Sequence, residues 1–347
     1  MNQNQTLYRK YRPSKFDEVI GQDAVVGALQ NSLKSGKIAH AYIFAGTRGT
    51  GKTSIARIFA DALGVTGNDL YEIDAASNRG IDDIRAIKEA VNTMPFDSKY
   101  KIYILDEAHM LSRDAWNALL KTLEEPPAHI IFILATTEME KIPDTIISRS
   151  ELYRFRKPDQ SVLKEVISRT AKKEGYDIED EAADVLALTA DGSFRDAHGA
   201  LQKVISGITS KTISLQSVED ISGVPKSGLV NDLIQAINVK DISKALDVIS
   251  NIRKDNLDIK AFLKMVLEKI RAIMLVRISK EFDDTQKATL TKETYEFIKS
   301  HSDKKGKDTN INSEALLKLL DVYDKVSYSS LPEIVLEATL IQVVSGE

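Results

Sequence analysis

A chain of 347 residues with 43% hydrophobic side chains is globular and too long for one ordinary core, so two or three domains are expected. Its 47 basic and 51 acidic residues leave a net charge of -4, which does not mark a nucleic-acid binder, and it has no cysteine, which excludes disulfides and thiolate metal sites. No apolar run is long enough for a bilayer and the N-terminus "MNQNQTLYRKYRP" lacks a signal-peptide core, so a cytoplasmic location without membrane contact is expected.

The first fifteen residues depart from this balance, with Arg9, Lys10, Arg12 and Lys15 and no acid. They read either as a solvated arm or as a contact to phosphates, of a nucleotide or of a partner strand. Five short apolar runs then predict strands: "AYIFA" over Ala41–Ala45, "LYEID" over Leu70–Asp74, "KIYILD" over Lys101–Asp106, "IIFILA" over Ile130–Ala135 and "LYRFR" over Leu152–Arg156. Most are continuous rather than alternating, as strands covered on both faces are. Helical patterns lie between them. "TSIARIFADAL" carries Ile55, Ile58, Phe59 and Ala62 on one stripe. In "SRDAWNALLKTLEEPP", Ser112 can cap the helix, Trp116, Leu119, Leu120 and Leu123 face inward, and Pro126-Pro127 stop it. The alternation predicts a parallel α/β domain over 1–156. Beyond about Lys157 strands vanish from the pattern. Three amphipathic helices predict a small helical domain over 157–222, and further helices a larger one over 223–347. "HSDKKGKDTNIN" reads as an exposed loop within the latter.

The stretch Gly46-Thr47-Arg48-Gly49-Thr50-Gly51-Lys52-Thr53 matches G-x-x-x-x-G-K-[ST] in full, between a predicted strand and a predicted helix. Glycines there let backbone N–H groups curl around phosphates, and the helix N-terminus adds its positive dipole end. Lys52 is expected to reach the β- and γ-phosphates of a nucleotide and Thr53 to ligate Mg²⁺. Such a loop needs an acid at the end of a neighbouring strand. "KIYILDEAHM" supplies Asp106 for the metal and Glu107 as general base. Thr136 and Thr137 end the next strand beside this site, where a threonine can hold the lytic water or sense the γ-phosphate. Arg149 precedes the fifth strand. Arg195 sits in the first turn of a helix whose start Ser193 and Asp196 would fix as a capping box. A cation there opposes the helix dipole, a cost easier to accept if it faces a phosphate. The five histidines, His40, His109, His129, His198 and His301, form no metal-spaced cluster and read as packing or surface residues. Trp116 reads as core.

These residues in this order resemble AAA+ ATPases of the clamp-loader group, and are more similar still to the gamma/tau family of bacterial DNA polymerase III. The resemblance runs over roughly residues 7–203, through "LYRKYRPSKFDEVIGQDAVV", "HAYIFAGTRGTGKTSIARIFA", "YILDEAHMLSRDAWNALLKTLEEPP", "FILATTEMEKIPDTIISRS" and "DGSFRDAHGALQK". Beyond that it is one of helical layout. It implies an α/β P-loop domain with a five-stranded parallel sheet, a helical lid and a C-terminal collar that holds a pentameric ring of loader subunits. It further implies Gly46 to Thr53 as Walker A, with Ser54 beside it, and Asp106 with Glu107 as Walker B. Thr137 would be the first sensor, Arg195 the second, and Arg149 the arginine finger reaching a neighbour's ATP. Tyr11, Arg12, Pro13, Val19 and Ile20 would lie near the adenine. The implied function is ATP-driven loading of a sliding clamp onto primed DNA, with phosphate contacts for which Arg79 and Arg113 are candidates.

Two departures stand out. Family members usually carry a four-cysteine zinc module after the P-loop helix; here the interval is only "DALGVTGNDLY", so no zinc is expected, and the layout is similar to replication factor C small subunits. The family's Ser-Arg-Cys is Ser148-Arg149-Ser150. The chain also ends after the collar, so the activities of longer tau forms are not expected of it. Two alternatives are a helicase-like DNA-remodelling motor, whose further motifs are missing, and a non-hydrolysing scaffold, against which Lys52, Asp106 and Glu107 argue.

Overall fold

Side chains of a strand point alternately to its two faces, so a run that is apolar at every position must be covered twice. Strand β1, Ala41–Ala45, is such a run. Its Tyr42 and Phe44 pack on one side with Val25 and Leu29 of helix α2, Asp23–Ser35, preceded by a short α1 at Leu7–Lys10. Ile55 and Phe59 of α3, Lys52–Ala62, complete that layer. Ala41, Ile43 and Ala45 pack on the other side. Strand β2, Leu70–Asp74, helix α4, Ile81–Val91, and strand β3, Lys101–Asp106, follow. Ile84 and Ile87 of α4 share the second layer with Trp116, Leu119 and Leu123 of α5, Arg113–Glu124. Ser112 caps α5 by accepting the Ala115 N–H. Trp116 is core, as its stripe predicts.

The computed structural model describes residues 5–78, 80–290, 292–303 and 309–344. Strand β4, Ile130–Thr136, short helix α6, Asp144–Ile147, and strand β5, Glu151–Arg154, complete the sheet. All its pairs are parallel and the order is β2-β3-β4-β1-β5. β2 and β5 form the edges and are less buried than their apolar character suggests. Register aligns Ala45 with Thr136, and Asp74 with Asp106, so the carboxyl ends of the strands present their polar residues together.

Just before β2, Asp69 is buried and accepts the N–H groups of Phe96, Asp97 and Ser98 at 2.6, 2.8 and 2.8 Å. Burial raises this carboxyl, but the three N–H groups together outweigh it and hold its pKa below the ordinary range. A carboxyl lowered on folding stabilises above its unfolded pKa of about 3.9 and loses that contribution as pH falls through the folded value. Asp69→Asn is therefore expected to cost roughly 1–3 kcal/mol at pH 7. The gap to the natural chain in urea melts should close as pH drops below about 4. A gap independent of pH would remove the carboxylate from the account.

The chain divides into two compact units, Met1–Thr170 with Ala190–Gln202, and Ala171–Thr189 with Lys203–Glu347. Helices α7, Gln160–Lys173, and α9, Phe194–Gly207, each begin in the first unit and end in the second. Between them come strand β6, Asp177–Ile178, and α8, Asp180–Thr189. After α9, strand β7, Thr212–Ile213, pairs in parallel with β6. Strands thus persist beyond Lys157, contrary to expectation; two residues are too few to show a period. The rest of the second unit is helical: α10 Leu215–Ser222, α11 Ser227–Val239, α12 Ile242–Lys254, α13 Ile259–Ile278, α14 Lys280–Thr289, α15 Lys292–Ser302, α16 Ser313–Tyr328 and α17 Pro332–Val344. α13 is its centre, burying Phe262, Leu263, Val266, Ile270 and Ile273.

The polar run 301–312, expected as an exposed loop, carries buried residues at both of its ends, beside the exposed Asp303 and Asn312. His301, Ser302, Thr309 and Ile311 are buried, while 304–308 lie outside the described residues. The reason is Arg277 of α13, whose guanidinium donates to the carbonyls of His301, Ser302 and Ile311 at 3.0, 3.3 and 2.9 Å. Satisfied carbonyls can leave water. Among the described residues no helix is long and apolar enough to cross a membrane.

Candidate nucleotide site

The glycine-rich loop joins β1 to α3 at the carboxyl edge of the sheet. Gly46 donates its N–H to the Thr136 carbonyl at 3.1 Å. A Cβ at Gly46 would lie 2.7 Å from the Phe155 carbonyl oxygen, and one at Gly49 would lie 2.0 Å from Ser193 Oγ. Gly49 and Gly51 have φ of 77° and 99°, a region that side chains avoid. The loop therefore needs glycine for conformation and for close packing alike. Thr47 and Arg48 line a cavity of about 370 Å³ with Ala76, Glu107, His109, Met110 and Thr137.

Lys52 opens α3 and is buried, its ammonium donating to the carbonyls of Gly46 and Thr47 at 2.7 and 2.9 Å. Burial pulls its pKa below the usual lysine value, Glu107 and Asp106 pull it back up, and Arg195 pushes it down again. The Thr53 hydroxyl donates to Asp106 Oδ2 at 2.8 Å, joining α3 to β3. Their oxygens form a hard donor pair of the kind that suits Mg²⁺. Glu107 has φ 50°, rare for a side chain that is not glycine. It is held by its own N–H on Asp106 Oδ1 at 3.1 Å and by the Thr137 hydroxyl donating to its Oε2 at 3.2 Å. Of the two threonines ending β4, Thr137 thus faces Glu107. Thr136 is fully buried and contacts His109 Nδ1 and the Glu138 backbone.

His109 is no remote packing residue. Its ring lies 3.1 Å from Glu138 Oε1 through Nε2 and 3.6 Å from Glu107 Oε2 through Nδ1. Gln22 is a second polar residue that local pattern does not mark; it is buried against the loop and the end of β5.

Arg195 is exposed, with its guanidinium carbon 5.7 Å from the Tyr8 ring centroid. Ser193 Oγ accepts the Asp196 N–H at 3.2 Å, one half of the expected capping box, while the Ser193 N–H goes to the Ala190 carbonyl. The next N–H, of Phe194, goes to the Gly49 carbonyl at 3.0 Å, so the start of α9 sits on the glycine-rich loop. Tyr11 stacks on the buried His198 of the same helix at 6.3 Å. Arg12, half-buried, is lowered in pKa by burial and by the charges of Arg57 and Arg195. Pro13 and Ile20 are half-buried, and Val19 packs against the core cluster that contains Phe155. Ser54 is half-buried in the first turn of α3. Arg149 does not join this group: its guanidinium bonds the Thr145 carbonyl at 2.8 Å, Ser148 Oγ at 3.1 Å and Glu124 at 2.9 Å. Arg113 is exposed at the start of α5, and Arg79 lies outside the described residues. Among the described residues no three His, Asp or Glu side chains cluster as a metal site.

A parallel sheet in this strand order, with the glycine-rich loop after one strand and an acid pair after a neighbour, defines a P-loop protein of the AAA+ class. Solved structures of the Thermotoga maritima RuvB Holliday junction branch migration motor share the fold. One covers 65% of this chain and 79% of its own with a TM-score of 0.54 at 23% identity. A RuvB variant covers 83% and 98% with a TM-score of 0.54 at 19% identity. By sequence the chain belongs to the gamma/tau family of bacterial DNA polymerase III subunits. It is 35% identical to DNA polymerase III subunit gamma of Buchnera aphidicola over 80% of this chain and 81% of that one. It is 33% identical to the tau subunit of Bacillus subtilis over 98% of this chain, and 38% identical to the gamma/tau subunit of Mycoplasma pneumoniae over 74%. It spans 63% and 41% of the length of those two. The family model for the DNA polymerase III delta subunit matches residues 21–72 and 65–159, and that for domain III of subunits gamma and tau matches 213–346.

Proposed function

We propose that this chain is an ATP-hydrolysing subunit of a sliding-clamp loader, working in the cytoplasm within a pentameric ring of loader subunits. The observation that carries the reading is the convergence of Thr53 on Asp106 and of Thr137 on Glu107 beside the glycine-rich loop. Lys52 and the loop N–H groups hold the β- and γ-phosphates. Thr53 and Asp106 hold Mg²⁺, which when bound neutralises charge on those phosphates. Glu107 takes the proton of the attacking water and Thr137 fixes the carboxylate that does so. Tyr11, Arg12, Pro13, Val19 and Ile20 bind the adenine side, Arg195 meets the γ-phosphate from the start of α9, and Arg149 serves a neighbouring subunit. Residues 1–156 form the ATPase domain, 157–222 the lid and 223–347 the collar. ATP binding closes the ring on an opened clamp and primed DNA, and hydrolysis releases both. DNA is held by its phosphates, with Arg79 and Arg113 as candidate contacts, so affinity falls with salt and ignores sequence.

The likeness to RuvB favours a helicase-like motor as a second reading, but it is one of fold alone. The match of residues 213–346 to gamma and tau domain III supports the loader. ATPase assays on the purified chain assembled with its partner subunits test the choice. Turnover should need Mg²⁺, stop with a chelator, and rise with primed DNA and clamp together beyond either alone. Metal analysis should find no stoichiometric zinc. Stimulation by duplex or junction DNA with indifference to the clamp would overturn the loader reading in favour of the motor.

A further inference from the structure

A loop that cradles phosphate does so with its N–H groups, and a trans peptide points its N–H opposite to the carbonyl of the preceding residue. Whatever holds the loop's carbonyls from outside therefore aims its donors. Two outside contacts do this in consecutive peptides. The Phe194 N–H holds the Gly49 carbonyl at 3.0 Å, which turns the Thr50 N–H away from α9. Gln22 Nε2 donates to the Thr50 carbonyl at 3.3 Å, which turns the Gly51 N–H away from Gln22.

Gln22 is only 3% exposed, and its amide is fixed on the far side as well. Nε2 also donates to the Arg156 carbonyl at 2.8 Å, and Oε1 accepts the Arg156 N–H at 3.1 Å. An amide paired in this way with one backbone residue has one orientation, and that orientation leaves its second N–H on Thr50. Arg156 follows β5, whose register with β1 is set by the sheet, so the strut stands on the rigid core. Only glutamine supplies an acceptor and two donors at this reach. Asparagine is a methylene shorter, glutamate has no donor, and methionine has no donor and only a weak acceptor.

Resting on the nucleotide-binding reading above, we propose that Gln22 is a positioning residue for phosphate: it pre-orients the Thr50–Gly51 peptide so that the loop binds the triphosphate without first reordering. The contribution is to binding of phosphate in the ground and transition states alike. Its loss should raise KM and leave kcat nearly intact.

The test is titration of ATP into the full-length chain, with steady-state kinetics of the assembled ATPase, for the natural protein, Gln22→Met and Gln22→Glu. Gln22→Met should weaken the ATP Kd and raise KM by roughly tenfold, the measure of one to two lost hydrogen bonds. Its kcat should change by no more than about twofold. Gln22→Glu should be at least as weak, because a carboxylate then faces two carbonyls and an incoming polyanion. A merely structural role would lower the active fraction, reducing apparent kcat with KM and Kd unmoved, and that pattern overturns the proposal. If Gln22→Met does not fold, Gln22→Asn carries the same expectation while keeping an amide in the site. A natural chain that binds no ATP overturns the nucleotide reading itself. A natural chain that binds ATP, beside variants with the same Kd, overturns the strut alone.

Discussion

Glu107→Gln is expected to keep ATP bound and to stop its hydrolysis, whereas Lys52→Ala is expected to lose the nucleotide. Glutamine is the same size as glutamate, and its carbonyl oxygen still accepts the Thr137 hydroxyl that now lies 3.2 Å from Oε2. The left-handed backbone at φ 50° is likewise untouched. What is removed is the ability to take a proton from water, an effect on the order of 10²–10⁴ in turnover. Lys52 acts earlier. Its ammonium is buried at the neck of the loop, and charge-assisted bonds of this kind support about 10–100-fold in affinity. Titration with ATP beside a single-turnover assay separates the two variants, and thermal melts establish that both chains are folded. Normal turnover in Glu107→Gln would remove Glu107 from the chemistry, and undiminished affinity in Lys52→Ala would remove Lys52 from the phosphates.

Arg149→Ala is expected to leave the chain's own nucleotide binding and stability unchanged and to cripple hydrolysis in the assembly. Stability should hold because the Arg149 pair with Glu124 is a half-exposed surface ion pair, worth about 0–1 kcal/mol. Hydrolysis should fall if the guanidinium serves a neighbour's phosphates as proposed; its contacts among the described residues are to Thr145, Ser148 and Glu124 and not to the glycine-rich loop of the same chain. An arginine supplied in trans can contribute ~10³–10⁵ in turnover. A smaller loss is expected here because, in the proposed site, Arg195 would share the charge. Mixing Arg149→Ala with Lys52→Ala chains, each inactive alone, should restore part of the DNA-stimulated rate, because some interfaces then join an intact loop to an intact Arg149. No recovery despite demonstrated co-assembly would count against trans action. Full activity of Arg149→Ala alone would exclude a catalytic part for it.

The P-loop, the acid pair and the five strands were legible because each is a local signal. Eight consecutive residues announce the loop, and continuous apolar runs announce strands covered on both faces. The capping of α5 by Ser112 was legible for the same reason. His109 was less so: it was read as a packing or surface residue, and nothing local says that its ring turns to Glu138 and Glu107. Gln22 was illegible because its partners lie 28 and 134 residues away. The buried segment around Thr309 and Ile311 was misread because its composition is that of a loop, and the guanidinium that satisfies it comes from α13. Pairs two residues long, such as β6 with β7, carry too little pattern to be seen.

Gly46 and Gly49 are demanded by Phe155 and Ser193 of the same chain, before any phosphate enters. A related chain without ATP hydrolysis would still have to keep both, or repack the end of β5 and the start of α9. Glycines in this loop are thus a fossil of architecture, poor witnesses to whether a subunit is alive as an enzyme. The proposed chemistry would instead be read from Lys52, Asp106 and Glu107, which no close approach of a neighbouring backbone fixes as it fixes the glycines, although each is held by hydrogen bonds of its own.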